Sequence, residues 1–189
     1  YIEAEDFTIL LFAYSIDGAP AKCVQLACGE ELPPEIRAAL TDPEVTKTAL
    51  NATCERLCIS KYLGTDKPMD PAQWKCTMAR AARMGLPLSL AQCGEVLKLE
   101  DRKMSEGKAL IRYFSCPNKV KKQGMVRMIR HLPESDPEKW ATFVKYNIRD
   151  VDVEQAILKK VRRLEVPKFD EDLYVADQEI NDRGVLVDQ

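Results

Sequence analysis

Histidine is almost absent: the 189 residues contain one, His131. A Ser-His-Asp or Cys-His-Asn set must be built around that residue or not at all. Glycine is scarce, at eight residues. Neither G-x-G-x-x-G nor a P-loop occurs, so cradling of a nucleotide on a glycine-rich helix start is unsupported. No apolar run approaches the roughly eighteen residues of a membrane-spanning helix. The opening stretch Tyr1–Phe12 has no basic region followed by an apolar one, and no secretory leader is expected there. The seven cysteines form no Cys-x-x-Cys pair. Their odd number argues against a disulfide framework and against a four-thiolate zinc site, and favours a reducing compartment. A chain that starts on Tyr1 is expected to be a piece of a longer protein.

What is present is the mix of a globular domain, 46% apolar and 31% charged. The net charge of −2 hides a segregation. Residues 1–44 carry two basic and nine acidic side chains, residues 45–164 carry 24 and 13, and residues 165–189 carry two and eight. A middle of +11 between ends of −7 and −6 fits a face that binds a polyanion, and it equally fits a solvated surface with no partner.

Residues 7–16 read as a β-prone apolar run, Asp17-Gly18 as a turn and 21–27 as a second strand. Pro33-Pro34 opens a short helix to about Leu40, and 45–50 reads as a third strand. Cys54, Leu57, Cys58 and Tyr62 follow helical spacing up to a stop at Gly64. Helices are predicted over 74–84, 89–99 and 107–115, with Ser89-x-x-Gln92 as a capping box. Residues 116–132 read as a basic connection without a clear period. Asp136-Pro137-Glu138 is a strong helix start. That helix runs toward Leu164, with Trp140, Val144, Ile148 and Val151 on one face and Val153, Ile157, Val161 and Leu164 on the opposite one. A bend or a change of packing partner is expected near Val151-Asp152. A last helix covers about 171–181. The order of strands and helices indicates α/β or α+β, with few strands for a free-standing sheet.

Tyr146 and Asp150 lie four apart, so a helix puts them on one face. A carboxylate with a phenol one turn away suits metal-assisted phosphodiester chemistry, and it also fits a surface acid beside a half-buried tyrosine. Asn51-Ala52-Thr53-Cys54-Glu55 sits where a strand meets a helix, and Glu55 either projects over the sheet edge or complements the helix dipole. Cys54 and Cys58 lack a second pair to complete a metal site, and core packing is the expected role. Lys119–Arg130 holds five basic residues and no acid, and reads as a phosphate track or as a surface loop.

Taken in order, the segments 7–17, 47–64, 74–90, 103–115, 133–154 and 176–188 resemble the proofreading 3′–5′ exonuclease domain of bacteriophage-type family A DNA polymerases. The resemblance covers nearly the whole chain, with an exonuclease-like domain at 1–165 and the start of the polymerase portion at 166–189. It implies an α/β, ribonuclease-H-like fold with a mixed sheet, and four carboxylates that hold two Mg²⁺ or Mn²⁺ ions. Asn51 and Glu55 match the second motif of that family, and Tyr146 and Asp150 match the third. The first motif, an Asp-x-Glu on the first central strand, is missing from the chain, and Cys54 stands in place of an aromatic residue.

The resemblance implies that Glu55 and Asp150 are metal ligands within roughly 10 Å of each other. Tyr146 would position the attacking water. Asn51, Lys119, Lys121 and Lys122 would contact the substrate, a single-stranded DNA 3′ end. Asp152 points to another face and Glu154 lies a turn further on, so neither is expected to substitute for the missing acids. The implied setting is the cytoplasm of a bacterial host, with the polymerase portion of the same chain as partner and incomplete catalysis in residues 1–189. The other reading is a non-catalytic module that holds single-stranded DNA or supports a polymerase.

Overall fold

The computed structural model describes residues 2–99, 107–122 and 125–186, with the side chains of 118–129 set aside. Among the described residues the strands form three separate two-stranded sheets. β1 (Phe12–Tyr14) and β2 (Lys22–Val24) pair antiparallel, with Ala13 opposite Cys23. Asp17 and Gly18 both take positive φ, 50° and 80°, between them. That is the turn chemistry which Asp-Gly supplies. The strand is shorter than the apolar run around it: the carbonyl of Leu10 instead accepts from the amide of Ala27 at 3.0 Å.

β3 (Lys47–Ala49) pairs parallel with β4 (Trp74–Cys76), in the register Thr48 opposite Lys75. Parallel strands need a crossover, and α2 (Ala52–Leu63) supplies it, ending at Gly64 with φ 70°. α1 (Pro34–Thr41) precedes β3. Residues 74–84, read from sequence as one helix, divide into β4 and α3 (Thr77–Arg83). The Cys76 thiol makes the division by accepting from the amide of Ala79 at 3.4 Å, which caps α3. α4 (Leu90–Val96) starts on its Ser89 cap as expected, and α5 covers Gly107–Ser115. The basic connection beyond it is an antiparallel hairpin, β5 (Asn118–Lys122) with β6 (Met125–Ile129). The architecture is therefore mixed α/β. The single mixed sheet expected from the resemblance is absent among the described residues, where each ladder stands alone.

α6 (Pro137–Val161) is unbroken for 25 residues, opened by Asp136 accepting from the amide of Lys139 at 3.1 Å. Its first half buries Trp140, Phe143 and Tyr146 rather than the expected Val144 and Ile148. These rings meet Phe114 of α5, which stands edge-on to Trp140 at 5.0 Å and stacked on Phe143 at 5.4 Å. Its second half buries Val153, Ile157 and Val161 against Ala81, Leu90, Cys93 and Leu99. The change of packing partner expected along this helix is present without a break in it. Each of these three aliphatic side chains is fully buried, worth about 1.5–3 kcal/mol apiece.

The last helix, α7 (Lys168–Arg183), docks on α2 through polar groups. Arg56 of α2 is 1% exposed and forms a fork with Asp182, Nη1–Oδ2 and Nη2–Oδ1 both at 2.7 Å. Thr53 donates to Gln178 at 2.5 Å beside it. Removing one partner of a buried pair strands the other charge. Asp182→Ala is therefore expected to cost about 3 kcal/mol in urea unfolding, whereas Glu179→Ala, at an exposed position of the same helix, should stay within about 0.5 kcal/mol of the parent.

Candidate active site

Glu55 lies in the first turn of α2. Ala52, Arg56 and Ile59 form the buried stripe of this helix. Glu55 is three residues past one of them and four before another, so it borders the stripe. Its surface is open to solvent, yet protein crowds the carboxyl. That crowding pushes its pKa up from the usual 4.5 to about 7, with smaller contributions from Cys54 and from the negative charge of Glu154. Asn51 occupies the N-cap position but its side chain makes no capping hydrogen bond and is exposed.

Opposite stands α6. Glu154 is buried, 9% exposed, and accepts the Thr77 hydroxyl at 2.7 Å. Burial raises its pKa and the Thr77 hydrogen bond partly opposes that rise. Tyr146, one turn before Asp150, is 3% exposed. Its ring stacks on Phe143 at 6.3 Å. Burial first, and then its hydrogen bond to Asp150, hold the phenol well above its ordinary pKa and keep it neutral. Gly107, at the head of α5, lies flat against this ring: a Cβ there would overlap Tyr146.

Glu154, one turn beyond Asp150 on α6, is a carboxylate whose charge acts on Glu55. Sequence reasoning set Glu154 aside. The available signal was the heptad: Glu154 is seven residues before Val161, as Asp150 is seven after Phe143 and seven before Ile157. Both acids therefore fall on the inward columns of the helix. Thr77 and Gly107 carry no sequence signal of this kind. Cys54 and Cys58 hydrogen-bond to each other, which lowers the Cys58 pKa to about 7 and raises that of Cys54. Lys119, Lys121 and Lys122 sit on β5, opposite Met128, Val126 and Met125 of β6.

Among the described residues, no three His, Cys, Asp or Glu side chains converge as a metal site. The acids of α2 and α6 do not by themselves fit the two-ion centre that the resemblance implies. No described helix is long and apolar enough to cross a membrane.

The chain is 49% identical over 188 residues to the DNA polymerase of Bacillus phage SP02. This chain is homologous to part of a phage DNA polymerase. The match covers the whole of this chain and 28% of the length of that relative. No family model and no solved structure matches.

The raised Glu55 pKa gives a pH signature. Between pH 4.5 and about 7 the folded chain holds a proton that the unfolded chain has released. Stability then falls as pH rises through that window and levels off above it. Urea unfolding of Glu55→Gln is expected to show a shallower fall over the same window, with the remainder due to Glu154. A parent curve that rises from pH 4.5 to 7 would contradict the assignment.

Proposed function

We propose that this chain is the 3′–5′ exonuclease, or proofreading, segment of a phage-type DNA polymerase. What supports the reading is the match of this chain, along its whole length, to part of a phage DNA polymerase, together with the charge effect of Glu154 of α6 on Glu55 at the strand–helix junction. In this reading Glu55 and Asp150 belong to a centre for Mg²⁺ or Mn²⁺ that is completed by acids outside residues 1–189. When bound, such ions activate water and stabilise a leaving oxygen. The role of Tyr146 is to hold Asp150: a buried neutral phenol donates to a carboxylate and fixes its orientation. Asn51, with its amide free of capping, and Lys119, Lys121 and Lys122 contact the DNA strand. The remaining polymerase portion is the partner in the same chain.

A second reading, a non-catalytic single-strand-binding module, is favoured by the lack of three converging acids among the described residues. Nuclease assays on two lengths of chain separate them. Residues 1–189 alone should leave a 5′-labelled oligonucleotide intact. A longer polymerase chain with an Asp-x-Glu strand upstream should trim it from the 3′ end when Mg²⁺ is added. In that chain Asp150→Ala should abolish trimming, and Tyr146→Phe should slow it about ten- to a hundredfold, the usual loss on removing a group that orients a ligand. An inactive longer chain that still binds the oligonucleotide would support the module. Asp150-dependent trimming by residues 1–189 would show that other acids complete the centre.

A further inference from the structure

We infer that the cleft between the β3–β4 pair, α3 and the end of α6 is a phosphate-binding site that holds the backbone of a nucleic-acid strand. The cleft measures about 210 Å³, and its walls include Thr48, Lys75, Thr77, Arg80, Leu158 and Arg162. Three of these are cations and none is an acid.

The fold explains how they meet. Alternation along a strand sends Lys47, Ala49, Trp74 and Cys76 into the core. The register partners Thr48 and Lys75 are then turned to the other face. Arg80 follows Thr77 by three residues on α3, and so stands over it. Arg162 is the C-cap of α6, four residues past Leu158.

The charges are poorly compensated. Lys75 reaches Glu171 of α7 at 3.2 Å, with both side chains about 40% exposed, a pair that contributes little. Arg80 and Arg162 form no ion pair with a described residue. Like charges around a concavity raise the local potential and draw in an anion. The Thr77 hydroxyl is committed to Glu154 at 2.7 Å, so Thr48 is the neutral donor left in the wall. From Arg162 the surface continues into exposed Lys159, Lys160 and Arg163. A run of cations beyond the cleft suits a polyanion more than a lone ion. Arg162 lies twelve residues past Asp150, about 18 Å along the helix, and the cleft meets the acids of α6 only through Thr77, whose hydroxyl holds Glu154, so the inference does not rest on the nuclease reading.

Fluorescence anisotropy with labelled oligothymidylate and residues 1–189 tests this. The double variant Arg80→Gln, Arg162→Gln should bind at least about tenfold more weakly, the loss expected for even one charge-assisted hydrogen bond. Its log–log salt slope should fall by about 0.7 for each phosphate contact removed. Glu171→Gln should bind more tightly, because it releases Lys75; a purely structural role for these residues predicts no gain. Single Arg162→Gln, at an exposed helix end, serves if the double variant loses its parental circular dichroism. In a second arm, inorganic phosphate is compared with chloride at equal ionic strength by thermal unfolding. A rise in Tm that is lost in the double variant means that the cleft also takes free phosphate; its absence beside weakened oligonucleotide binding means that it needs a strand. Variants that fold and overlay the parent in both arms overturn the inference.

Discussion

The buried columns of α6 are shared by rings, aliphatic side chains and carboxylates, and the rest of the structure is arranged around that constraint. Phe143, Asp150 and Ile157 stand one heptad apart, as do Tyr146 and Val153, and Glu154 and Val161. An amphipathic helix gains stability by sending apolar groups inward, and an acid on those columns loses hydration. Two hydroxyls offset part of the loss. Thr77 donates to Glu154, and the Tyr146 phenol is hydrogen-bonded to Asp150. Both hydroxyls come from residues that are themselves buried. Departures from local pattern that the fold supports in this way are characteristic of functional positions.

The phase of α2 meets the same constraint from the other side. Arg56 is fixed by its fork to Asp182 and by donating to the Met69 carbonyl at 3.0 Å. That anchoring sets the rotation of the helix. Glu55, the preceding residue, is turned about 100° from it, to the border of the buried stripe. There it is crowded enough to shift its pKa and open enough to meet a ligand. α7 thereby acts on the site at a distance, because it supplies the Asp182 that holds α2 in place.

Elements with long periods or strong caps were legible in the sequence: α5 over its full length, α6 from its Asp136 cap, and α2 to its Gly64 stop. Three-residue strands were not. Trp74–Cys76 is too short to display alternation, and the helix that follows at once absorbs it into a longer helical window. The β5–β6 hairpin escaped because Asn118–Lys122 is polar at most positions and alternates weakly. Tyr146, Asp150 and Glu55 are candidates that motif spacing alone brings forward. The burial of Glu154 is not legible from a helix-face argument that starts at Asp150, because which columns are buried depends on α3 and α4 packing against α6.

The segregation of charge along the chain also changes meaning once the chain is folded. Acids from the two ends come back onto the basic middle: Asp6 pairs with Arg130 at 2.8 Å, Glu171 with Lys75, Asp170 with Arg83, and Asp182 with Arg56. The +11 of residues 45–164 therefore overstates the field that a ligand meets. Most of these pairs are exposed and individually weak, but each places an acid within a Debye length of a base, which quenches the long-range potential. What survives is local. It concentrates at the cations that form no ion pair with a described residue, Arg80 and Arg162, and along the last turns of α6. The proposed binding of a polyanion therefore rests on where these cations are placed in the fold and not on the basic composition of the middle segment alone.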